Sequence, residues 1–146
     1  MAKVLETPTV LIEAPAEVVW ATLIDFDSHQ HWNSYVVHWS GEARVGCAMR
    51  LVAAADKRRE FHPTVVEVVF ARRLRYVHRV LGGIILSADH EMCLEPESPS
   101  RCRFLQRERS SGLVLPFAWK AISGSAGPGF GRMNLDLKRE AERRIS

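Results

Sequence analysis

The chain has 146 residues, 47% of them hydrophobic and 25% charged, and a formal net charge of +3. These are the proportions of one globular domain over residues 1–146, long enough to bury roughly two-thirds of its unfolded surface. The first fourteen residues lack the apolar run of a signal peptide, and the greasiest stretch, Gly112–Ile122, is too short to span a bilayer and contains Pro116 and Lys120. A cytoplasmic protein with no integral membrane association is therefore expected.

Thr7–Ala14 is rich in β-branched residues and reads as a first strand. Pro15 then opens a helix whose apolar stripe is Val18, Val19, Trp20, Leu23 and Ile24. Asp25–Ser34 reads as a second, short helix. From Tyr35 the period changes to two. Strands are predicted at Tyr35–Ser40 and Cys47–Ala55 around the Gly41–Gly46 turn, then at Thr64–Phe70 and Leu74–Leu81 after a charged turn, Asp56–Glu60. A last hairpin within Ser87–Gly112 turns at Pro96–Ser100. Leu113–Ile122 reads as a helix or an apolar arm, of which Leu113–Trp119 lines the cavity entrance or packs against another subunit. Ser123–Gly129 (SGSAGPG), with three Gly and one Pro, reads as a non-helical hinge. Phe130–Ile145 is a helix with Phe130, Met133, Asn134, Leu137 and Ala141 on one side.

Seven antiparallel strands present one long apolar face that must be covered, and the C-terminal helix is the element available to cover it. A curved sheet around one helix leaves a space between them, the natural ligand site of such an arrangement. The fold class is α+β.

The arginines cluster, but an acidic strand face (Asp89, Glu91, Glu95) falls between two basic ones (Arg73, Arg75, Arg79; Arg101, Arg103, Arg107, Arg109). Cross-strand ion pairs account for this pattern, and no aromatic residues interleave to stack bases, so no nucleic acid is expected as a partner. Cys47, Cys93 and Cys102 form no C-x-x-C pair and read as structural thiols. His29 and His31 are two apart and leave a helix on different sides, so no metal site is expected. Gly127–Gly131 (GPGFG) lacks the flanking strand and acidic residue of a dinucleotide fold, and no cofactor is expected.

Several motifs carry a resemblance. They are Ala14-Pro15-Ala16-Glu17-Val18-Val19-Trp20, Asp25-Phe26 with His31-Trp32-Asn33, and Gly41 with Gly46. Further along come Phe61-His62-Pro63, His90, Phe104-Leu105-Gln106-Arg107-Glu108, Gly112, and Met133-Asn134 with Leu137-Lys138. In this order they resemble the START and birch-pollen-allergen-like superfamily (SRPBCC), and within it the polyketide cyclase/dehydrase and lipid-transport group. The resemblance spans nearly the whole chain and implies a helix-grip fold, with seven strands around a long C-terminal helix and two short N-terminal helices. One departure is Ser34, where relatives often have Pro.

The inward face of the last hairpin carries His90, Gln106 and Glu108 among apolar residues, with His90 opposite Gln106 or Glu108. Tyr76 and His78 point inward from the neighbouring strand. The predicted lining is Val66, Val68, Phe70, Tyr76, His78, His90, Met92, Phe104, Gln106 and Glu108, with Phe130, Met133, Asn134 and Leu137 as its lid. Three readings stay open. The polar strip anchors a small hydrophobic ligand carried by a monomer or homodimer; or Glu108, His90 and Tyr76 supply acid–base chemistry of a cyclase/dehydratase type; or His90 and Glu108 merely satisfy one another in the core, as in a protein-interaction module.

Overall fold

The computed structural model describes residues 2–55 and 57–146; Asp56, the first residue of the expected charged turn, lies outside them. In chain order the elements are β1 (Lys3–Glu6), β2 (Val10–Ile12), α1 (Ala16–Ile24), a 3-10 turn (Phe26–Ser28) and α2 (His29–Trp32). Then follow β3 (Val36–Ser40), β4 (Arg50–Ala53), β5 (Glu60–Phe61), β6 (Thr64–Val69), β7 (Arg73–Val80), a second 3-10 turn (Leu81–Gly83), β8 (Leu86–Ser98), β9 (Arg101–Ser111) and α3 (Leu115–Ile145). The fold is α+β, an antiparallel sheet gripping the long C-terminal helix with short helices at one end.

Strand order is β1-β9-β8-β7-β6, with β2 also on β9, while β3-β4-β5 form a second hydrogen-bonded set. An Ala48–Thr64 bridge and reciprocal backbone bonds between the 46–49 and 63–65 segments join the two sets. The expected single strand Thr7–Ala14 is two strands, broken at Thr7-Pro8-Thr9. Pro8 has no N–H to give a ladder. Thr7 compensates: its N–H donates to the Gln106 carbonyl, and its hydroxyl accepts the Gln106 N–H, both at 3.0 Å.

The largest departure from expectation is in α3, which runs unbroken through Ser123–Gly129 and Pro128, so there is no hinge. Packing overrides propensity here. The helix buries Leu115, Ala126, Phe130, Met133, Leu137 and Ala141, and buried contacts of this kind, not intrinsic preference, supply most helical stability in proteins. Gly129 has a positive role, since a Cβ there would lie 2.3 Å from Tyr35 Cδ1. Its absence lets the Tyr35 ring lie flat on the helix. Ser34 ties the same region down, its N–H and hydroxyl donating to Asp136 Oδ2 at 2.8 and 2.6 Å. A proline at 34 has neither donor.

The core lies under α1 and the C-terminal half of α3, with Phe26 stacked on Trp39 at 4.7 Å between centroids. Here His29 is fully buried. Its Nε2–H donates to the Leu23 carbonyl at 2.7 Å, and its Nδ1 accepts from Asn33 at 3.0 Å. Asn33 Oδ1 in turn accepts the N–H of Tyr35 and of Val36. Both ring nitrogens are thus used structurally, and among the described residues no group of three His, Cys, Asp or Glu is placed to hold a metal.

On the outer sheet face Arg75 pairs with Asp89 at 2.8 Å, and Glu91 bridges Arg73 and Arg107. The cysteines are free, and burial pushes the Cys93 and Cys102 thiols up to about 11. No helix among the described residues is long and apolar enough to cross a membrane.

Candidate functional site

Antiparallel pairing of β8 and β9 sets His90 directly opposite Glu108 and Met92 opposite Gln106. Residues two apart on a strand share a face, so His90 meets both partners from one position. Its Nδ1 lies 2.8 Å from Glu108 Oε2 and its Nε2 lies 2.7 Å from Gln106 Oε1. Tyr76, opposite His90 on β7, stacks on one face of the imidazole at 5.0 Å, and Phe130 of α3 meets it edge-on at 4.7 Å.

A chain of amides behind His90 fixes where its protons sit. Asn134 Nδ2 donates to Thr7 Oγ1 at 2.9 Å, which leaves Asn134 Oδ1 to accept Gln106 Nε2 at 2.7 Å. The Phe130 carbonyl, 3.5 Å from the same Gln106 nitrogen, also requires a donor there. Gln106 therefore turns its oxygen to His90, and an amide oxygen can only accept. His90 must carry its permanent proton on Nε2. The exchangeable site is Nδ1, against the Glu108 carboxyl.

This group closes the inner end of a cavity of about 460 Å³ between the sheet and α3. Val36, Leu51, Phe61, Pro63, Leu86 and Ala88 supply apolar walls, and α3 contributes Ala118, Ala121, Ile122 and Ala126. The exposed lining residues mark the mouth: Ala55 and Arg59 on one side, Ala121 and Ser125 of α3 on the other. Arg59 makes no ion pair among the described residues. Glu108 Oε1 and the Tyr76 hydroxyl take no protein partner among them either, and both residues line the cavity. Burial, then the Glu108 charge, push the Tyr76 phenol well above its ordinary value, so it stays a neutral donor. Burial, with His62 nearby, holds His78 below the usual imidazole range, favouring its neutral form.

Of the residues expected to line this space, Tyr76, His78, His90, Gln106, Glu108, Phe130 and Met133 do so. Val66, Val68 and Phe70 do not: a bulge between Val65 and Glu67 turns Val66 off the inward face, Val68 faces inward opposite Leu74 but in the core, and Phe70 lies in the turn beyond β6. Val65 takes the buried position instead, and Phe70 is 68% exposed, edge-on to Trp20. Met92 and Phe104 share the inward face but lie toward the hairpin turn, in the core beneath α1. Asn134 and Leu137 are fully buried further along α3, Asn134 in the amide chain and Leu137 in the core, so neither is a lid.

The sequence matches the polyketide cyclase / dehydrase and lipid transport family over residues 1–142. The chain belongs to this family. Solved structures agree with it in fold, with helix-grip proteins of the START superfamily among them. An aromatase/cyclase, Zhui, from Streptomyces sp. R1128 superposes with a TM-score of 0.82 at 17% identity, over 100% of this chain and 97% of that one. A START superfamily protein from Mycobacterium smegmatis gives 0.76 at 16%, over 97% and 98%. Norcoclaurine synthase from Thalictrum flavum gives 0.72 at 12%, over 100% and 98%. No curated protein matches the chain at a significant level.

Within this family fold, sequence reasoning offered Leu113–Trp119 as one candidate for the entrance, and Ala118 of that arm does line the cavity, but it missed the rest of the α3 wall and the facing side of the mouth. Ala118, Ala121, Ile122, Ser125 and Ala126 recur at three- and four-residue spacing, a signal that was present but masked by the following glycines. Arg59 and Tyr35 carried no local signal. Only the folding of the 54–60 loop and the missing Cβ of Gly129 bring them to the cavity.

Proposed function

We propose that the cavity binds and carries a small, mostly hydrophobic molecule, such as a lipid, polyketide or aromatic metabolite, held by one polar end. The observation that carries this is the pairing of mostly apolar walls with a polar inner end, where Glu108 Oε1 and the Tyr76 hydroxyl line the open space without a protein partner among the described residues. Glu108 Oε1 accepts from a ligand O–H or N–H, and Tyr76 donates to a ligand oxygen. The volume falls within the ~300–1,000 Å³ of small-molecule pockets, and an open cavity speaks against a filled interaction module. The same fold in norcoclaurine synthase was solved with dopamine and hydroxybenzaldehyde, which supports a ligand of that scale.

One observation favours a second reading, acid–base chemistry of a cyclase/dehydratase type. His90 is locked with its exchangeable site against a carboxyl that reaches the cavity, so Glu108 can take a proton from a substrate on Oε1 and pass one from Oε2 to His90 Nδ1, with the reverse transfer returning it to the product. On this reading Glu108→Gln removes turnover and leaves binding.

Native mass spectrometry of freshly purified protein, with solvent extraction of anything released, tests the binding reading. A bound species of defined mass is expected. A protein at its apo mass that also fails to bind apolar dyes would overturn it.

A further inference from the structure

A cluster of large apolar side chains stands in solvent beside the cavity mouth. Phe117 is 91% exposed, Leu81 73%, Leu113 68% and Ile84 66%. The segments that carry them lie side by side, because Leu113 N–H donates to the Ile84 carbonyl at 3.0 Å and Ile84 N–H to the Leu81 carbonyl at 3.2 Å. Phe117 follows one turn into α3, its N–H on the Val114 carbonyl at 3.1 Å. Leu81 adopts φ 51°, a left-handed conformation that is costly for a non-glycine residue, yet its side chain gains no burial. Fold packing does not account for such a residue.

The two segments that build this patch carry charge of one sign. Residues 71–88 and 109–135, which meet here, contain no Asp or Glu. They carry Arg79, beside Gly83 in the turn, and Lys120, one turn beyond Phe117. Neither cation makes an ion pair among the described residues, unlike the paired arginines of the outer sheet face. A two-fold contact through this patch would bring two like-charged segments together. An apolar knob carried on two acid-free, basic segments complements an anionic surface into which side chains can sink.

We propose that this face docks on an anionic lipid bilayer, with Phe117, Leu113, Leu81 and Ile84 entering the headgroup boundary and Arg79 and Lys120 meeting lipid phosphates. The first half of α3 faces the cavity with Ala118, Ala121 and Ile122 and the patch with Phe117 and Lys120, so docking sets the mouth against the membrane. The docking does not depend on what the cavity holds.

Flotation with phosphatidylcholine vesicles, with and without phosphatidylglycerol, tests it on the full chain. Binding to the anionic vesicles is expected, weakened by salt. Phe117→Ser should lower partitioning about tenfold or more, and Lys120→Glu about tenfold. Leu113→Ser is a second variant, and unchanged thermal unfolding of all three shows that the fold is intact. Failure to bind anionic vesicles, or binding by Phe117→Ser equal to the parent chain, would overturn the proposal. A concentration-dependent dimer lost in Phe117→Ser would assign the face to a second copy instead. Apolar dye uptake measured in parallel reports on the cavity, so the failure of one idea is distinguishable from that of the other.

Discussion

His90 Nδ1 stands 2.8 Å from Glu108 Oε2 while Gln106 accepts the proton on the opposite ring nitrogen at 2.7 Å. The imidazole therefore has one exchangeable proton site, and it faces a carboxyl that lines the cavity. The two partners are not equivalent. In Glu108→Gln an amide N–H still donates to Nδ1, so a stability loss within about 1 kcal/mol is expected. Gln106→Leu leaves the His90 Nε2–H and Asn134 Oδ1 unpaired in the core, and should cost about 2–3 kcal/mol. Urea unfolding of both variants measures the difference. Equal losses would show that the amide chain is not oriented as described.

His29 makes folding sensitive to acid. Burial lowers its pKa to about 4, against 6.5 in an unfolded chain, because the charged ring is poorly solvated among Trp32, Trp39 and Phe26. Between these values the unfolded state binds a proton that the native state refuses. Stability is therefore complete above about pH 6.5 and falls as pH drops toward 4, by about 3 kcal/mol in all. His78, also lowered by burial, adds in the same direction. Urea midpoints measured from pH 7 down to pH 4.5 should fall, and His29→Gln should remove most of that slope. An unchanged slope in the variant would place the acid sensitivity elsewhere.

The Cys93 and Cys102 thiols should be unreactive in the folded protein. Burial raises Cys93 and Cys102 to about 11, and Cys93 also faces the Glu91 carboxylate at 3.1 Å. Since only the thiolate reacts, both should label slowly with Ellman's reagent near neutral pH and rapidly once urea unfolds the chain. Fast labelling of either in the folded protein would contradict this burial.

Much of the fold was legible in the sequence, and the parts that were not share a physical cause. Alternation along Ser87–Gly112 predicts the β8–β9 hairpin and sets His90 against Gln106 or Glu108, since two-residue periodicity survives wherever one face is buried. It fails at Val66, where a bulge, invisible in side-chain pattern, gives the inward position to Val65 instead. It fails again at Thr7, whose hydroxyl takes the place of a strand carbonyl for the Gln106 N–H. The lining residues Tyr35 and Arg59 come from segments distant in sequence, and local pattern carries nothing about their meeting.

The glycines of α3 show the same limit and offer the sharpest test of it. Propensity disfavours helix at Ser123–Gly131, yet the segment is helical because its neighbours on both sides are anchored by buried residues. Gly124, Gly127 and Gly131 meet nothing within 4 Å of an added Cβ. Replacing each by Ala removes backbone freedom from the unfolded chain at no steric cost, and should stabilise by about 0.5–1 kcal/mol per site. Gly129 differs, because its Cβ would overlap the Tyr35 ring at 2.3 Å. Gly129→Ala must displace that ring and its edge-on contact with Phe130 at 5.5 Å, so a loss of about 1–3 kcal/mol is expected. Urea midpoints of the four single variants decide the matter: three should rise and one fall. If Gly129→Ala rises with the others, Tyr35 does not lie against the helix and the cavity wall is drawn differently. If the other three fall, the segment is not the continuous helix on which that wall depends.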